Sequence, residues 1–118
     1  MSKRDPAVPL RQILAHAREA VELCQTRTRA DLDNDRLLNL ALTRLLEIIG
    51  EAAYRVPESV RDQHQELPWM EMIASRNRLI HGYDSVDFDI LWSIIQKDLP
   101  ILVNQLESIL GETPSRPE

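Results

Sequence analysis

Glycine is scarce: three occur in 118 residues, and none is preceded by Asn or Asp. β-Hairpins rely on Asn-Gly and Asp-Gly pairs for turns with positive φ, so this scarcity argues against an all-β architecture. Cysteine is scarcer still. Cys24 alone cannot form an intramolecular disulfide, and a lone cysteine at a helical apolar position behaves as a small buried hydrophobe, which fits a reducing compartment. There is no Cys-x-x-Cys pair, no Gly-rich phosphate loop and no Ser/His/Asp arrangement, so redox chemistry, nucleotide hydrolysis and acyl transfer lack their residues. No apolar run approaches bilayer-spanning length, and Met1 to Pro9 carries charges and prolines in place of an apolar leader core. A cytoplasmic protein with no membrane role is expected. Positive charge is also short: the net charge of −5 weakens any nonspecific affinity for nucleic acid, which depends on cations displacing counterions from phosphates. Any contact with nucleic acid must therefore be local, and the close basic pairs are Arg27 with Arg29 and Arg76 with Arg78.

What is abundant is helical apolar patterning. Apolar residues make up 43% of the chain and charged ones 28%, the balance of a folded globular protein. One domain over residues 1–118 is expected, with its core within about 10–110 and frayed ends. Leu10, Ile13, Leu14, Ala17, Val21 and Cys24 recur at three- and four-residue steps, predicting a first helix that reaches about Ala30. Asp31 to Asn34 break the pattern and offer caps for a second helix. There Leu37, Leu38, Ala41, Leu42, Leu45, Leu46, Ile48, Ile49, Ala52, Ala53 and Val56 cover more than half the circumference. Such a helix is central, or shared with a second subunit. Gly50 in its interior predicts close approach of another backbone.

Pro57 ends that helix, and Glu58 to Gln65 has room for one short helical turn. Pro68 suits a first helical position, and Trp69, Met72, Ile73, Leu79 and Ile80 form the stripe of a third helix, with Arg76 unusually inside it. Gly82 closes it near His81. Ser85 or Asp87 then caps a fourth helix with the stripe Phe88, Leu91, Trp92, Ile95, Leu99, Leu102, Val103, Leu106 and Ile109, bent at Pro100. The expected fold is all-α: an antiparallel, up-down four-helix bundle with one short extra helix.

The segment richest in chemistry is Arg76-Asn77-Arg78-Leu79-Ile80-His81-Gly82-Tyr83. It gathers a fixed cation, an amide, an imidazole and a phenol at the end of a helix. Asn77 and His81 are four apart and share a helix face, so the amide can orient the ring. Arg76 and His81 differ by roughly 140° around a helix of 3.6 residues per turn, so they do not face each other within one chain. A two-fold partner can bring them together. Taken alone, His81 beside arginines also fits a structural cap at a helix C-terminus, and Tyr83 an interface or core aromatic.

The octapeptide is similar to the Arg-x4-His-x-Tyr signature of HepT-like toxins, a branch of the HEPN superfamily of small helical nucleases. Leu46-Glu47-Ile48-Ile49-Gly50-Glu51-Ala52 resembles the family's second-helix segment, and Leu67-Pro68-Trp69 the start of its motif helix. Asp89-Ile90-Leu91-Trp92 and Lys97-Asp98-Leu99-Pro100 resemble its fourth helix, so the likeness covers about residues 10 to 110. Ser75 departs from it, since the family commonly carries methionine before Arg-Asn.

The resemblance implies a HEPN-like bundle and a toxin of a toxin–antitoxin pair that cleaves RNA without a metal or other cofactor. The ribose 2′-hydroxyl would attack the adjacent phosphate, with His81 as general acid/base, Arg76 stabilising the growing charge and Asn77 orienting. The site would be composite, at the interface of a homodimer. Tyr83 would accept AMP from a minimal nucleotidyltransferase (MNT) antitoxin, and the added charge and bulk would silence the site. The rival reading is a non-catalytic module that binds a nucleotide or docks the nucleotidyltransferase; a purely structural dimerisation domain is the plainest alternative. His16 and His64 lack ligand-spaced partners, so no metal site is expected. Glu47 and Glu51 share a face and suit an ion pair with Arg44 or Arg55. Trp69 and Trp92 are expected in the core.

Overall fold

The computed structural model describes residue 5, residues 7–79 and residues 86–111, with side chains described for all of these except 76–79. Among the described residues every regular element is helical, in the order α1 (Ala7–Leu23), α2 (Arg29–Asn34), α3 (Arg36–Arg55), α4 (Glu58–Gln63), α5 (Trp69–Leu79), α6 (Phe88–Ser93), a π-helical segment (Ile94–Asp98) and α7 (Leu99–Leu110). The last three run on as one rod, so α1, α3, α5 and this rod are the four long members of an all-α antiparallel bundle. The short α4 is the extra helix expected after Pro57.

The stripes became the core. Leu10, Ile13, Leu14 and Ala17 of α1, Leu42, Leu46 and Ile49 of α3, and Leu91, Ile95, Leu102 and Leu106 of the final rod are buried together. α3 is the central member, packed against α1 on one side and α5 on another, with α2 and α6 also touching it. Its apolar circumference is wider than these neighbours use, and Leu37 stays 80% exposed, with Leu40 and Tyr54 also exposed.

The first boundary differs from the expectation. α1 stops at Leu23 and does not reach Ala30, because Thr28 and Asp31 start a separate helix: the Asp31 carboxylate accepts the Thr28 N–H at 2.7 Å, one half of a capping box. Thr28 is therefore the N-cap of α2, with Asp31 at its third position, and Asp35 caps α3 by accepting the Leu38 N–H at 3.1 Å. Asn39, a polar residue on the inner face of α3, is only 5% exposed and donates from Nδ2 to the Leu32 carbonyl at 2.9 Å, fastening α2 to α3.

In the last rod Asp87 is the cap, accepting the N–H groups of Asp89 and Ile90. Pro100 is accommodated by the π-helical segment before it, where the Leu99 N–H reaches the Ile94 carbonyl. One extra residue in the turn puts the proline at the start of a fresh α-helical stretch, where its missing N–H is tolerated. Gly111 ends α7 with φ of 67°, the left-handed conformation a glycine adopts without steric cost. Arg18 and Glu107 close α1 on α7 with an ion pair of 2.9 Å, mostly shielded from solvent. Arg29 holds α2 on α6 through Asp89 at 2.8 Å, its guanidinium over the Phe88 ring.

Candidate active site

Arg76 and Asn77 stand on the last turns of α5. His81 and Tyr83 lie outside the described residues, as do the expected closure at Gly82 and the pairing of Asn77 with His81. What is described is the platform that carries the motif.

That platform is built at Gly50, where α5 lies directly on α3. A Cβ placed on Gly50 would stand 2.8 Å from the Met72 carbonyl oxygen, so the close backbone approach expected from the sequence is present and its partner is the motif helix. Ser75, next to Arg76, is 7% exposed, and its Oγ donates to the same Met72 carbonyl at 2.8 Å. At its other end α5 is anchored by Trp69, buried, whose Nε1 donates to the His64 carbonyl at 2.9 Å. Trp92 is half-buried against the core, as expected of its stripe.

Ser75 borders two hollows beside α5. One, of about 490 Å³, lies along the outer side of α3, with Arg44, Glu47, Glu51 and Tyr54 on its wall and Ile73 on α5. Arg44 lies 3.3 Å from Glu47 and 3.8 Å from Glu51, so these carboxylates share a cation as their helical spacing suggested. Arg55 lines the same hollow, and its Nη2 donates to Gln12 Oε1 at 3.4 Å. The other hollow, of about 330 Å³, separates α5 from the final rod and is walled mainly by Leu46, Ile49, Met72, Leu99 and Leu102.

The remaining histidines have local partners. His16 Nδ1 is 2.6 Å from the Gln12 carbonyl oxygen, and His64 lies 3.9 Å from Glu66. Among the described residues no group of three His, Cys, Asp or Glu side chains is arranged to hold a metal ion. Cys24 is buried, and that burial pushes its thiol above the usual range, away from the reactive thiolate. Among the described residues no helix is long and apolar enough to cross a membrane.

With histidine, cysteine and the clustered acids accounted for, Arg76-to-Tyr83 stands as the segment with unassigned chemistry. Residues 4–109 match the model of the ribonuclease HepT-like family. The chain belongs to that family. Its HepT-like relatives include a Methanocaldococcus jannaschii protein named "Putative RNase MJ1380", 35% identical over 92% of this chain and 100% of the relative. Another is a Thermococcus cleftensis protein named "Probable ribonuclease HepT", 39% identical over 77% of this chain and 86% of the relative. A third, from Caldanaerobacter subterraneus and named "Putative RNase TTE0752", is 36% identical over 91% of this chain and 96% of the relative. No solved structure matches the chain. Membership agrees with the resemblance read from the motif and with the all-α bundle.

Ser75 was legible as a departure from the family pattern, but its bond to the Met72 carbonyl was not, since serine in a helix interior gives no sign of where its hydroxyl turns. Asn39 was missed because a single polar residue among leucines does not disturb the apolar period.

Proposed function

We propose that this HepT-like chain is a metal-independent endoribonuclease and the toxin of a toxin–antitoxin pair, working in the cytoplasm as a homodimer with a composite site. The observation that carries this reading is the octapeptide Arg76 to Tyr83, which lies inside the residues that match the ribonuclease family. His81 takes the proton from the ribose 2′-hydroxyl. The freed oxygen bonds to the adjacent phosphorus, the bond to the 5′-oxygen breaks, and that oxygen leaves with a proton returned by the imidazole. A group that titrates near neutral pH suits both transfers. Arg76, a permanent cation, balances the charge growing on the phosphoryl oxygens. Asn77 orients the imidazole.

The offset that helical spacing predicts between Arg76 and His81 supports a site shared between two copies. Exposed Leu37, Leu40 and Tyr54 on α3 supply apolar surface for such a pairing. Mixing tests it. Arg76→Ala and His81→Ala homodimers are each expected to be inactive, whereas the heterodimer of the two retains one site with both side chains and recovers up to half the wild-type rate. Recovery absent from a heterodimer shown to form would refute the shared site.

Tyr83 is the regulatory residue in this reading. Its phenol oxygen attacks the α-phosphorus of ATP on a minimal nucleotidyltransferase antitoxin, pyrophosphate leaves, and the attached AMP blocks an incoming RNA phosphate by charge and bulk. The net charge of −5 favours the rival, a nucleotide-binding or nucleotidyltransferase-docking module without catalysis. The two part on whether purified chain, free of antitoxin, cuts RNA.

A further inference from the structure

α3 and α5 meet at one point where glycine lets the two backbones approach directly. The Cβ that any other residue would bring to position 50 falls 2.8 Å from the Met72 carbonyl oxygen, 3.5 Å from Ser75 Oγ and 3.8 Å from the Ile73 carbonyl oxygen. The closest of these is a backbone atom, so the clash is relieved only by moving α3 and α5 apart. That same carbonyl accepts the Ser75 hydroxyl at 2.8 Å. In α-helical register it is also the acceptor for the N–H four residues on, which belongs to Arg76. One oxygen thus links the α3 backbone, the Ser75 side chain and the backbone of the proposed catalytic arginine.

We propose that Gly50 and Ser75 are positioning residues of the ribonuclease site: together they set the depth and rotation of α5 on α3, and so where Arg76 stands relative to the scissile phosphate. This rests on the ribonuclease reading above. Both residues act through α5. Ordinary contact at 3.4 Å in place of 2.8 Å requires α5 to shift relative to α3 by about 0.6 Å. A misplacement of about 1 Å costs on the order of 10²-fold in rate, so Gly50→Ala is expected to lose roughly tenfold in kcat. Ser75→Ala adds no bulk but frees the carbonyl from its hydroxyl, and a smaller loss of about threefold follows.

The test measures kcat and KM on a defined RNA, together with the Kd for its uncleavable 2′-O-methyl counterpart, on dimers whose fold is checked by circular dichroism and light scattering. Ala20→Gly is the control: Ala20 is fully buried in α1, and glycine there loosens the helix while leaving the α3–α5 seat untouched. The expected result is a fall in kcat for Gly50→Ala and Ser75→Ala, with KM and Kd within about twofold of wild type, and wild-type kcat for Ala20→Gly despite its lower melting temperature. Wild-type kcat in folded Gly50→Ala, a loss carried by KM, or an equal loss in Ala20→Gly would overturn the assignment. If Gly50→Ala does not fold, Ser75→Ala decides, and wild-type kcat there overturns it. A wild-type chain that cuts no RNA brings down the ribonuclease reading and this inference with it. An active wild type with unchanged variants brings down this inference alone.

Discussion

Asn39→Ala is the substitution whose cost the structure sets most directly. The wild-type amide is 5% exposed, and its Nδ2 donates to the Leu32 carbonyl at 2.9 Å. Truncation takes the amide donor from that carbonyl in a buried position, and a buried acceptor without a donor costs about 1–3 kcal/mol. Unfolding entropy near 2.1 cal/mol/K per residue makes each kcal/mol worth roughly 4 °C in a chain of 118 residues, so Tm is expected to fall by about 4–12 °C. The molecule contains its own control. Asn34 makes the same kind of bond, Nδ2 to the Ala30 carbonyl at 3.1 Å, but in solvent, where water replaces the lost donor. Asn34→Ala should stay within about 0.5 kcal/mol of wild type. Both are measured by urea and thermal unfolding at one fixed protein concentration, because the proposed dimerisation would make Tm concentration-dependent. Equal losses in the two variants, or a loss below about 0.5 kcal/mol for Asn39→Ala, would refute the argument from burial.

Three further outcomes are expected. Glu107→Ala breaks the shielded ion pair with Arg18 that joins α1 to α7, and urea unfolding should show a loss of about 1–2 kcal/mol that added salt changes little. The Leu38 N–H, and after it the Arg27 guanidinium, holds the Asp35 carboxyl below its ordinary value. Because the folded state binds that proton less readily than the unfolded state, the stabilisation is complete above the ordinary aspartate value and is lost as pH falls through the folded one. The gap in urea midpoint between wild type and Asp35→Ala should therefore be widest near neutrality and close in acid. Tyr83→Phe should remain toxic to cells and active on RNA in the presence of nucleotidyltransferase and ATP, with no AMP detected by mass spectrometry.

Where burial follows one repeat, the fold was legible. The stripes of α1, α3 and the final rod predicted their own core, Asp87 was readable as a cap, and Gly50 declared a close neighbour before that neighbour was known to be α5. The break between α1 and α2 was less visible because Thr28 and Asp31 sit in a polar stretch where a capping box looks like any other run of small polar residues. The response to Pro100 was also hidden: a missing N–H predicts a disturbance, but a bend and an inserted π turn relieve it equally well in sequence. At the site, Arg76 stood out because a cation interrupts an apolar stripe. The support beneath it did not, since the contact among Gly50, Met72 and Ser75 joins residues distant in the chain through a backbone oxygen that no side-chain pattern reports.

The central claim is tested most directly by incubating purified, antitoxin-free and unmodified protein with structured and unstructured RNA in excess EDTA, beside His81→Ala prepared identically. Cleavage by the wild type, absent from folded His81→Ala protein, is the predicted result. Intact RNA with the wild type, or equal cleavage by both proteins, would contradict a metal-independent nuclease centred on His81.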